Sequence, residues 1–162
     1  MTRPTGMAGE QLWLREELIY TDRVVAALPD GHALARGRKL ALRKLGGEPL
    51  VVYQRTGAPG LFDTIVAMVR GAGIAPWFEH EPDLMTTVLT LVAAGSGLGL
   101  VPGCVACREV EGVSFREVTP ASEPVPLVMA WSRENDSPTL AAFTDVVREL
   151  KPVIQARMER RC

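Results

Sequence analysis

The residues best suited to hold a small anion sit in one short stretch, Gln54-Arg55-Thr56-Gly57-Ala58-Pro59. It leaves an apolar run, Leu50-Val51-Val52-Tyr53, and feeds into a helical pattern that starts near Gly60. In a strand–loop–helix order, the backbone N–H groups of the first helical turn, at Gly60 and Leu61, point towards whatever lies beyond the strand. The helix dipole favours negative charge there. Arg55 adds a guanidinium and Thr56 a hydroxyl. Spacing alone leaves a plain solvated loop as the competing reading.

Other reactive side chains form weaker sets. His32 follows a Pro29-Asp30-Gly31 turn, where it is expected to cap a loop. His80 stands between Glu79 and Glu81 near a strand end, as a pocket wall or a surface terminus. Cys104 and Cys107 form a CxxC spacing with no second pair, a weak zinc signal without a redox active-site context. They are expected to follow a strand in a helix, as small buried hydrophobes; a thiol switch is the minority reading. Cys162 leaves the cysteine count odd. Gly95-Ser96-Gly97 resembles half of a dinucleotide fingerprint, but it ends a helix and begins a strand, the wrong order for phosphate. No serine lies in a nucleophile elbow, and no HExxH or phosphate-binding loop occurs. These patterns exclude an evident enzyme and imply no metal and no cofactor.

The elements that position the loop follow from periodicity. Residues 18–28 are apolar on both faces and read as one buried strand, stopped by Pro29-Asp30-Gly31. A short helical turn is expected at 41–45 and strands at 50–53 and 77–80. Leu61, Ile65, Met68 and Val69 recur at helical spacing over 60–72, with Gly73 placed for a left-handed cap. Asp83 is the expected N-cap of a second helix carrying Leu84, Val88, Leu91 and Val92 on one face and closed by Gly95. Strands follow at 98–101, 113–118 and 127–131. Ser137 and Pro138 should open a last helix with Leu140, Phe143, Val146, Val147 and Leu150 as its stripe, which Pro152 should end or kink. Alternating strands and helices imply parallel pairing with right-handed crossovers: a doubly wound, mostly parallel α/β sheet. Ligands of such sheets sit at the carboxyl ends of the strands, which again selects residues 54–60.

The 162 residues suffice for one domain or two small lobes, and 47% hydrophobic with 23% charged residues is a globular composition. No run approaches the roughly 18 apolar residues of a membrane span. The opening MTRPTGMAGEQ lacks the apolar segment of a secretory signal, so a cytoplasmic protein is expected. The net charge is −1. The basic clusters Arg36-Arg38-Lys39 and Arg157-Arg160-Arg161 are short and interrupted, so neither direct DNA contact nor membrane contact by this chain is expected.

LPDGHALA (28–35), EPLVVYQRTGAPGLFD (48–63) and above all EPDLMTTVLTLVAAGSGLGLVP (81–102) resemble the effector-binding domain of LysR-type transcriptional regulators. LVMAWSRENDSPTLAAFTDVVREL (127–150) resembles the last strand and helix of that domain. The resemblance implies a type II periplasmic-binding-protein-like fold with two Rossmann-like lobes and an effector between them. It maps 18–118 to the second lobe, 119–162 to a segment returning to the first lobe, and 1–17 to an N-terminal remnant or linker. It implies effector contacts from Gln54, Arg55, Thr56 and Gly57, with Phe62 behind the loop. A small carboxylate or aromatic metabolite is the implied effector. Gln54 stands where the family often has proline, which leaves the stiffness of the loop open.

The winged helix-turn-helix and the first half of the first lobe have no counterpart here. The returning strand should therefore expose a sheet edge and an apolar face, so the chain is expected to form a homo-oligomer or to be partly disordered near both ends. A free solute-binding protein of the same fold and a non-functional regulator fragment are the alternatives.

Overall fold

The computed structural model describes residues 13–161. The apolar run at 18–28 does not form one strand: it divides at Arg23 into β1, Leu14–Asp22, and β2, Val24–Pro29. The two halves meet different surroundings. β2 is buried from Val24 to Leu28, whereas β1 buries only Ile19 and Asp22. The division marks a boundary between two compact units, one of Arg23–Val125 and the other of the residues up to Asp22 and from Pro126 onward.

In the larger unit, β2 joins β3 (Lys39–Ala41), β4 (Leu50–Val51), β5 (Phe78–His80), β6 (Leu98–Pro102) and β7 (Val113–Thr119) in the order β3-β7-β2-β6-β4-β5. β3 pairs parallel with β7, and β4 pairs parallel with both β5 and β6. The sheet is thus mostly parallel, as the alternation of elements predicts. β2 departs from that pattern, running antiparallel to β6 on one side (Val24 opposite Pro102) and to β7 on the other (Val25 opposite Glu117).

Strand period explains why β2 and β4 are apolar throughout, because successive side chains alternate between faces. Val24, Ala26 and Leu28 enter one core cluster with Leu50 and Val52; Val25, Ala27 and Val51 enter the other. Each face then needs a helix. α1 (Pro59–Gly71) covers the first with Leu61, Ile65 and Val69, and α2 (Met85–Ala93) covers the second with Val88, Leu89 and Val92. Helices on both faces of a mostly parallel sheet make this a doubly wound α/β unit. Gly73 takes the left-handed conformation expected of it, at φ 78°.

Three local expectations change. Asp83 does not cap α2: the N-cap is Leu84, without a side-chain cap bond, and Leu84 is 59% exposed. The helix starts one residue later than expected, and its buried stripe runs through Leu89 in place of Leu84. Cys104 and Cys107 lie in a 3₁₀ turn, Gly103–Cys107, in place of the expected helix. That turn is on the rim of the sheet, so Cys104 is exposed and Cys107 half-buried; they are not core residues. Cys162 lies outside the described residues.

The smaller unit pairs β1 with β8, Val125–Ser132, and adds α3, Pro138–Arg161. Ser137 caps α3 as expected, its Oγ accepting from the Leu140 N–H at 3.2 Å. Pro152 does not end the helix, since α3 continues to Arg161. Arg148 joins α3 to β1 through Glu17 at 3.0 Å. Leu18, Leu127 and Val128 on the strands and Phe143, Val146, Leu150 and Val153 on α3 are exposed. Among the described residues no helix is long and apolar enough to cross a membrane.

Candidate functional site

Because β4, β5 and β6 are parallel neighbours, their carboxyl ends share one edge of the sheet. Residues 52–58 leave β4 at that edge and turn directly into α1. The loop is tied down from both sides. Gln54 donates its N–H to the Pro82 carbonyl at 3.0 Å, and its own carbonyl accepts the Gly57 N–H at 3.3 Å. The first bond fastens the loop to the segment after β5, and the second closes a four-residue turn with Arg55 and Thr56 at its tip. Arg55, Thr56 and Gly57 are exposed, and Gln54 is half-buried.

Gly57 lies so close to a neighbouring ring that any larger residue would force a shift. A Cβ there would come within 2.5 Å of Tyr53 Cε1 and 2.7 Å of its hydroxyl. Tyr53 packs against both core clusters, so its ring is a floor for the turn. Phe62 is half-buried against the core, with its ring 5.4 Å from that of Phe78.

The charge at the tip is already engaged. Arg55 Nε donates to Asp63 Oδ1 at 2.8 Å and Nη2 to Oδ2 at 3.0 Å, a two-pronged grip on a carboxylate. The hydrogen bond from Arg55, and then its charge, hold the Asp63 carboxyl below the ordinary carboxylate range; the same bond and the charge of Asp63 push Arg55 up. The first turn of α1 adds the Gly60 and Leu61 N–H groups, for which the helix itself supplies no partner. The edge therefore offers a hydroxyl, helix-end N–H donors and a guanidinium fork, a set suited to a carboxylate.

Among the other candidates, His32 has a structural role. His32 caps the 3₁₀ turn Ala33–Arg36, its Nδ1 accepting from the Leu34 N–H at 3.3 Å. His80 ends edge strand β5, and its carbonyl accepts the Val52 N–H at 3.1 Å. Among the described residues no group of three or more His, Cys, Asp or Glu could hold a metal. Sequence reasoning missed Tyr53, Asp63 and the Pro82 carbonyl. Asp63 follows Arg55 by eight residues, a spacing that means nothing until a turn and a helix start are folded between them.

The glycine turn at residues 95–99 is scaffold. A Cβ at Gly97 would meet the Pro49 carbonyl oxygen at 2.7 Å, and one at Gly99 would meet Val92 Cγ2 at 3.0 Å and Ala27 Cβ at 3.1 Å. Both glycines let β6 enter between β2 and β4.

Residues 5–152 match the family model described as the LysR substrate binding domain. The HTH-type transcriptional regulator TdfR of Cupriavidus pinatubonensis is 34% identical over 138 residues, 84% of this chain and 46% of that protein. The chain thus spans about half the length of the curated relatives it matches. Those relatives are transcriptional regulators, not enzymes. In fold it is similar to the effector binding domain of QuiR in complex with shikimate, with a TM-score of 0.76 and 15% identity over 92% of this chain and 70% of that one. It is also similar to the BenM effector binding domain with benzoate, with a TM-score of 0.71 and 18% identity over 93% of this chain and 68% of that one. The chain belongs to the LysR substrate-binding domain family.

Proposed function

We propose that this chain is the sensing part of a cytoplasmic LysR-type regulator and takes a small carboxylate, aromatic or otherwise, at the loop after β4. The observation that carries the reading is the turn Gln54–Gly57 at the carboxyl edge of the sheet, tied to Pro82, floored by Tyr53 and running into the N-terminus of α1. Gln54, Arg55, Thr56 and Gly57 supply the contacts, with Phe62 holding the wall from behind. The similar folds of QuiR and BenM carry shikimate and benzoate, both carboxylates, which supports the ligand class. The unit of Arg23–Val125 acts as the second lobe, placed at 18–118 by the resemblance, and the segment from Pro126 onward acts as the return to the first. Effector binding shifts the population of lobe arrangements and through them a homo-oligomer, while DNA is contacted by a segment outside this chain.

The test is a thermal-shift panel of aromatic and dicarboxylic acids, including benzoate and shikimate, on the full chain. Protection by one acid, lost in Arg55→Ala and in Thr56→Ala, is the expected result. An acid that protects both variants as well as the parent places the site elsewhere, and no protection across the panel overturns the reading.

A further inference from the structure

Arg55 has five N–H donors in a rigid fork, and Asp63 occupies its Nε–Nη2 edge, an edge suited to a two-pronged contact with a ligand carboxylate, while also neutralising the charge. Arg55 comes from the loop and Asp63 from the second turn of α1, so the contact also fixes the loop against the helix. Asp63 has a solvent-facing side chain, 49% exposed, and Arg55 is 60% exposed. A pair this open is weak and readily exchanged for another carboxylate. Nothing buried has to move for the exchange.

We propose that Asp63 is an internal competitor: it occupies the Arg55 fork in the empty protein, and an effector carboxylate takes the fork by displacing it. This rests on the assignment of the loop as the effector site. The device sets a threshold, since the effector must outbid a tethered carboxylate, and it favours anions, since a neutral analogue gains nothing by opening the pair. It also supplies two discrete arrangements of the loop: one with Arg55 held to α1, the other with Arg55 on the ligand and the α1 tether released.

The experiment measures binding of benzoate, of shikimate and of the neutral analogue benzamide by calorimetry on the full chain. The proteins are the parent, Asp63→Asn, Arg55→Ala and the double variant, each checked for folding by circular dichroism. Asp63→Asn keeps the side-chain shape and removes the charge. It is expected to tighten the carboxylate that binds by about two- to fivefold, the size of an exposed ion pair, and to leave benzamide unchanged. The double variant should match Arg55→Ala, because Asp63 competes only through Arg55. If Arg55→Ala weakens the carboxylate but Asp63→Asn leaves it unchanged or weaker, the competitor role is overturned and the site assignment survives. If the parent binds neither acid, both fall.

Discussion

Gly57 sits on the ring of Tyr53, close enough that a single added methyl would come within 2.5 Å of Cε1. The ring is half-buried and packs against both core clusters, so moving it aside disturbs those contacts. Gly57→Ala should therefore destabilise the protein by about 1–3 kcal/mol, the usual range for overpacking. In the double variant with Tyr53→Ala the two losses should fall short of their sum, since the clash is gone. Urea unfolding of the two single variants and the double variant checks this; strict additivity would show that the contact carries no strain.

Gly97 and Gly60 should respond to alanine in opposite directions. At Gly97 the new Cβ meets a backbone oxygen, that of Pro49, at 2.7 Å, while at Gly60 it meets nothing within 4 Å. Gly97→Ala should cost about 1–3 kcal/mol because strand β6 must shift as a whole. Gly60→Ala, inside the first turn of α1, should stabilise by about 0.4–1 kcal/mol by restricting the unfolded chain. Denaturation midpoints on either side of the parent value are the expected readout.

Ser122 closes the start of the central strand. Its Oγ accepts the Val24 N–H at 2.9 Å, and Val24 is 1% exposed. Ser122→Ala strands that donor and should cost about 1–3 kcal/mol. Amide exchange locates the effect: Val24 should lose protection in Ser122→Ala and keep it in Ser122→Thr.

The Arg55–Asp63 contact predicts a titration with a defined sign. Asp63 has its folded pKa below the ordinary 3.8, so the contact contributes fully above that value and is lost as pH falls through the lower, folded one. Carbon-detected NMR of the Asp63 carboxyl should give a midpoint below 3.8, returning towards it in Arg55→Ala and in about 1 M salt, where screening is strong. Both groups are open to solvent, so the effect on overall stability should be small.

Much of the larger unit was legible in the sequence because its signals are local. The α1 stripe Leu61-Ile65-Val69 and the cap at Gly73 come from periodicity and one backbone requirement, and both appear where expected. What was illegible depends on partners far along the chain. That β2 runs against its neighbours is set by residues 98–102 and 113–119 closing on either side of it. That Gly97 is obligatory is set by Pro49, and that Arg55 is engaged is set by Asp63. The loop itself could be found from strand–loop–helix order; its floor, its tether and its occupied fork could not.

The placement of β2 also governs the order of events on the ribosome. It is the longest apolar strand of the sheet and the first of its strands to be made, yet Pro102, its partner opposite Val24, follows by 78 residues. At roughly 5–20 residues per second, that strand waits about 4–16 s for one neighbour and longer for the other. Through that interval two apolar faces have no sheet to join. The span between synthesis of Pro29 and of Val113 is when this chain is most prone to aggregate and most in need of a chaperone.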